Sequence, residues 1–181
     1  MDASQNKLLV LVGPKGSGKS HLGRMLEAEF EIRYVRIEEI WQELKTRRSD
    51  FLSQDYIREG RALTLEALRA TLQKGSVCIE ASGVADDWAE YVTALRQLAP
   101  IIFVRVTASL DACRIRARDR DHSLQVPIDL DLFEAINWQS IDVQMDWAVT
   151  LINEPFLSRA ELTRHMAPIL RDNHFSFKKL V

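Results

Sequence analysis

Residues 13–20 read Gly13-Pro14-Lys15-Gly16-Ser17-Gly18-Lys19-Ser20, and the flanking stretches say what they are for. Before them runs Leu8-Leu9-Val10-Leu11-Val12; after them Leu22, Met25, Leu26 and Phe30 recur at helical spacing. The order is strand, glycine-rich turn, helix, and the spacing G-x-x-x-x-G-K-S is that of a phosphate-binding P-loop. The chemistry asks for each part. Gly13, Gly16 and Gly18 let the backbone take φ > 0 and come close to a ligand that side chains would block. The amides of the turn then converge as an anion nest over the positive end of the helix dipole. Lys19 reaches the β- and γ-phosphates of a nucleoside triphosphate, and the Ser20 hydroxyl is placed to ligate Mg²⁺. Gly13 to Ser20 together form the expected nucleotide-binding set.

The rest of the composition sets bounds. A chain of 181 residues fits one domain over 1–181, a length at which roughly 70% of the unfolded surface is buried. Hydrophobic residues are 46% and charged residues 28%, ordinary values for a soluble globular protein. The formal net charge of −2 argues against a polyanion-binding surface, so nucleic acid is an unfavoured partner. Cys78 and Cys113 form no C-x-x-C pair and read as reduced core residues. The N-terminus lacks the basic start and apolar core of a signal peptide, and no run approaches the roughly 20 apolar residues that span a bilayer. The expectation is a cytoplasmic protein with no membrane partner. Nothing in the sequence specifies an oligomeric state.

Along the chain, Tyr34-Val35-Arg36-Ile37 reads as a short second strand ending in Glu38-Glu39, with Ile40 to Leu44 helical. Lys45 to Asp55 is a polar connection, and Tyr56 to Lys74 is a helix stopped by Gly75. Val77-Cys78-Ile79 is a buried strand followed by Glu80, and Asp86 to Leu98 is a helix. Ile101 to Val106 is the fourth strand. Ser109 caps a helix whose later half is basic, with Arg114, Arg116, Arg118 and Arg120. Residues 122–131 read as a flap, 132–144 as a helix, and Trp147 to Ile152 as the last strand. Ser158 caps a final helix, and the tail from about 172 to 181 reads as loosely held. Apolar strands separated by helices predict an α/β domain: a parallel five-stranded sheet covered by helices on both faces. Ligands in such folds bind at the carboxyl ends of the strands, so Glu38, Glu39 and Glu80 should gather beside the P-loop.

These features resemble the nucleoside-monophosphate-kinase-like P-loop kinases, the group of adenylate, shikimate and gluconate kinases. The likeness runs over about residues 7–170: P-loop, an acid after the second strand, an acid after the third, then an arginine-rich lid at about 110–128. The resemblance implies ATP and Mg²⁺ as cofactors, and a small-molecule or nucleotide acceptor of the γ-phosphoryl group. It implies Glu38 or Glu39 as the acid that orients or deprotonates the acceptor. It places Glu80 with Ser20 at the magnesium. It implies Arg114 and Arg118, four apart on one helix face, as stabilisers of the transferring phosphoryl group, with Arg120 close behind. In relatives, adenine lies between a lid arginine and the loop after the last strand, here Asn153-Glu154-Pro155. Departures are visible too. An Asp-x-Asp of shikimate kinases is replaced by Glu38-Glu39, and their Arg-Pro-Leu-Leu by Arg120-Asp121-His122-Ser123, so no one relative's acceptor carries over. Arg58, Arg61 and Arg69 are candidates for an anionic group of the acceptor, and His122 is the histidine nearest the lid.

Other P-loop classes fit less well. No N-K-x-D or D-x-x-G of a Ras-type GTPase is present, and AAA+ machines need more chain. The remaining alternatives are a nucleotide-binding regulator without phosphotransfer and a polynucleotide-end kinase.

Overall fold

A computed structural model describes residues 6–50, 53–119, 130–173 and 175. The leading apolar run is β1 (Leu8–Val12), every residue of which is fully buried. With β2 (Arg33–Tyr34), β3 (Val77–Ala81), β4 (Ile101–Thr107) and β5 (Trp147–Ile152) it forms one sheet of order β2-β3-β1-β4-β5. Each pairing is parallel. Such a sheet needs cover on both faces. The period-two alternation of β1 divides the core accordingly. Leu9 and Leu11 join a cluster with α1 (Lys19–Phe30) and α7 (Arg159–Asp172); Leu8, Val10 and Val12 join one with α3 (Gln54–Leu72) and α4 (Trp88–Leu98). Truncating Leu9 or Leu11 to Ala should cost about 2–5 kcal/mol, the usual price of a cavity in such a core.

Three further helices complete the order: α2 (Ile37–Arg47), α5 (Leu110–Arg118) and α6 (Leu130–Asp142). The caps behave as their residue types dictate. The Ser109 hydroxyl accepts from the Ala112 amide at the start of α5, and Ser158 with Glu161 forms a reciprocal capping box on α7. No described helix is long and apolar enough to cross a membrane.

Several boundaries differ from expectation, and one matters for the site. The second strand stops at Tyr34, and helix α2 has begun by Ile37. Glu38 and Glu39 therefore lie in the first turn of a helix, where the dipole favours acids, and not on a strand end. Glu80 is within β3, one residue before its end. The helix ending near 74 stops earlier, with Gln73 as its C-cap. The tail is not loose at Phe175, which is 6% exposed and packed in the α1–α7 cluster. Arg120, His122 and most of the expected flap lie outside the described residues.

Candidate active site

The P-loop is wedged between its neighbours so tightly that its glycines are obligatory. Gly16 and Gly18 have φ of 89° and 91°, which side-chain-bearing residues rarely adopt. A Cβ on Gly13 would sit 2.0 Å from the Val106 carbonyl oxygen. Asn137 of α6 grips the loop from outside: its Oδ1 accepts from the Lys15 amide at 2.7 Å, and its Nδ2 donates to the Lys15 carbonyl at 2.9 Å. Asn153, fully buried after β5, donates to the Ser17 carbonyl at 2.7 Å. Lys19 is 7% exposed, and its ammonium donates to the Gly13 and Pro14 carbonyls at 2.8 and 2.7 Å. The cradle is a preformed concavity of amides with a lysine folded into its rim, and it fits a polyphosphate.

Beside it the Ser20 hydroxyl reaches both oxygens of Glu80, at 2.9 and 3.0 Å. The P-loop serine and the β3 acid thus form one cluster of hard oxygens, the donor type that magnesium takes when it also binds substrate phosphates. A third group completes it: the Tyr34 hydroxyl donates to Glu80 Oε1. Burial first, and the Glu80 charge second, push the Tyr34 phenol far above its ordinary pKa. It stays protonated and remains a donor to the carboxylate. The Tyr34 ring passes so close to α1 that a Cβ on Gly23 would lie 2.6 Å from it.

The arginine helix divides by face. Arg114 and Arg118, the pair that the family resemblance implied, both line the cleft. Arg114 is held by Glu134 of α6 at 3.0 Å and Asp111 at 2.9 Å, whereas Arg118 is largely exposed beside Asp119. Arg116 turns to the body of the protein. It donates to the Asn153 carbonyl at 2.8 Å and stacks 3.9 Å from the Phe156 ring centre. The loop after β5 is thereby tied to the P-loop through Asn153 and to α5 through Arg116 and Glu154, which accepts from both the amide and the hydroxyl of the α5 cap Ser109.

The P-loop, Glu80 and the residues beyond it line one continuous cavity of about 1060 Å³. Glu38 lines it; Glu39 does not. Glu39 is instead exposed and paired with Arg36 at 2.7 Å, one helical step away on the outer side of α2. Of the three arginines expected near the acceptor, Arg61 lines the cleft. Arg58 pairs with Asp55 on the surface and Arg69 is exposed, so neither joins it. Trp41, Trp88 and Tyr91 form the far wall, and Ser82 and Gly83 the floor. Ser140 of α6 donates to the Ser82 carbonyl at 2.6 Å, fixing that floor.

The sequence matches the family described as AAA domain over residues 8–139. The chain belongs to that family. No curated protein is significantly similar in sequence. Among solved structures, shikimate kinase from Acinetobacter baumannii in complex with shikimate is 17% identical, with a TM-score of 0.67 over 98% of this chain and 97% of that one. A gluconokinase from Sinorhizobium meliloti 1021 is 17% identical, with a TM-score of 0.60 over 93% and 95%. The tunicamycin resistance protein of Deinococcus radiodurans is 16% identical, with a TM-score of 0.63 over 91% and 95%. The fold is that of the nucleoside-monophosphate-kinase-like P-loop kinases.

Tyr34, Asn137 and Ser140 have no place in the sequence reading. Asn137 and Ser140 are three apart on one face of α6, a polar pair at buried positions. That spacing is a signal, but only once the helix is known to lie over the P-loop.

Proposed function

We propose that the chain is a kinase transferring the γ-phosphoryl group of Mg-ATP to an acceptor oxygen on a small molecule or nucleotide. The observation that carries it is the placement of Lys19, the Ser20–Glu80 pair and the Glu38 carboxylate along one continuous cleft. The P-loop amides and Lys19 bind the β- and γ-phosphates, Lys19 leaving its carbonyl partners for them. Ser20 and Glu80 would hold a magnesium ion, which would supply neutralisation of the charge on the phosphate oxygens. Tyr34 keeps the Glu80 carboxylate oriented, as hydrogen-bonded outer partners orient metal ligands. Glu38 sits on the acceptor side as the group that takes the acceptor hydroxyl proton while the oxygen attacks phosphorus and ADP departs. Arg114 and Arg118 stabilise the charge that spreads over the transferring group.

The test is ADP release from Mg-ATP, with and without pooled nucleosides, nucleotides, sugars, sugar acids and short oligonucleotides. Acceptor-dependent release that falls at least about 10³-fold in Lys19→Ala is expected. Tight ATP binding with no acceptor-dependent release would favour the regulator; stimulation by oligonucleotides alone would favour the polynucleotide-end kinase.

A further inference from the structure

The half of the cleft beyond Glu80 has a chemistry of its own. Among the described residues, Arg61 is the one cation lining the cleft outside the P-loop and α5. Its fork is already occupied: Nε and Nη2 donate to the two carboxylate oxygens of Asp87 at 3.1 and 2.8 Å. The guanidinium also lies 3.9 Å from the centre of the Tyr91 ring. Arg61 is thus neutralised and stacked, part of a wall. Asp87 takes the Nε and Nη2 donors that a bidentate grip on a carboxylate or phosphate ligand would use, so such a ligand has to compete with it for them.

On the side of the cleft away from the P-loop, α5 and α6, the charged side chains besides Arg61 are the carboxylates Glu38 and Glu80, to which an acceptor's own negative group would add a like charge. The remaining surface is aromatic. Trp41 is pressed onto α3, where a Cβ on Gly60 would sit 2.4 Å from its ring; the glycine is what lets the indole lie there. Trp88 and Tyr91 stand tilted against each other at 6.1 Å. Such rings accept the apolar face of a sugar or base, or a cation, and offer nothing to an anion.

Resting on the kinase reading, we propose that the acceptor is an uncharged or amine-bearing alcohol with an apolar ring face. Sugar acids and nucleotides are disfavoured, and the Arg61–Asp87 pair sets that preference.

Matched acceptors test this: adenosine against AMP, and glucose or glucosamine against gluconate. Two readouts are taken on each, ADP release and quenching of tryptophan fluorescence, which reports occupancy beside Trp41 and Trp88 whether or not transfer follows. The uncharged or amine member is expected to exceed its anionic counterpart by about tenfold or more in kcat/KM and in affinity. Asp87→Asn frees the Arg61 fork and is expected to improve the anionic member about tenfold. Adding Arg61→Met to Asp87→Asn is expected to cancel that gain, because the freed fork is then gone. The proposal is overturned if wild type prefers the anionic members and Arg61→Met abolishes that preference. It is equally overturned if no uncharged or amine member quenches the fluorescence at about 10 mM, since a site of this affinity class saturates there. The charge preference seen in binding without any ADP release would support the pocket assignment and remove the kinase reading instead.

Discussion

The two halves of the cleft are built in opposite ways. The nucleotide half is backbone: eight consecutive residues whose amides, glycines and one lysine make the cradle. The half proposed to take the acceptor is side chains drawn from α2, α3, β3 and α4, with Glu38, Trp41, Arg61, Glu80, Trp88 and Tyr91 meeting only in the fold. A backbone site depends on φ and on spacing, so it leaves a contiguous imprint in sequence. A side-chain site depends on which helix face turns inward, which only packing decides.

The comparison breaks first at Glu80, the residue both halves share. Glu80→Gln should lower turnover about 10²-fold at limiting magnesium, with partial recovery at saturating magnesium, read from a Mg²⁺ titration of ADP release. Full activity at low magnesium would detach Glu80 from the metal. Tyr34→Phe should have a smaller effect of the same kind. The ring still packs against Gly23, only the hydrogen bond to Glu80 is lost, and the magnesium requirement should rise about tenfold. Because the Tyr34 phenol is held far above its ordinary pKa, its contribution should not change between about pH 6 and 9, and a matching pH profile for wild type and variant checks that. The smallest effect belongs to Glu39. It is exposed and paired only at the surface, so Glu39→Gln should change turnover less than about twofold.

Those outcomes also mark how far the sequence could be read. The five strands, their parallel pairing and the P-loop were legible, because continuous apolar runs such as that of β1 and the glycine spacing are local patterns that the fold does not override. The choice between Glu38 and Glu39 was not legible. Both sit in the first turn of α2, adjacent in sequence, and the dipole favours each alike. What separates them is that adjacent helical positions lie about 100° apart, so one faces the cleft and the other faces Arg36. The arginine helix repeats the lesson. Its four-residue spacing brought Arg114 and Arg118 to the cleft, but the role of Arg116 as a strut onto Asn153 and Phe156 needed the neighbouring loop in place. Arg61 was one of three arginine candidates for an anionic group of the acceptor, and its pairing with Asp87, the cap of α4, left no local pattern to read.

The most direct test of the two-part cleft measures ATP affinity and acceptor-dependent turnover on the same Glu38→Gln protein. The account predicts an ATP dissociation constant within about twofold of wild type and a kcat lowered about 10²-fold, the span of one general base. Unchanged turnover, or a loss of ATP binding that matches the loss of turnover, would contradict it.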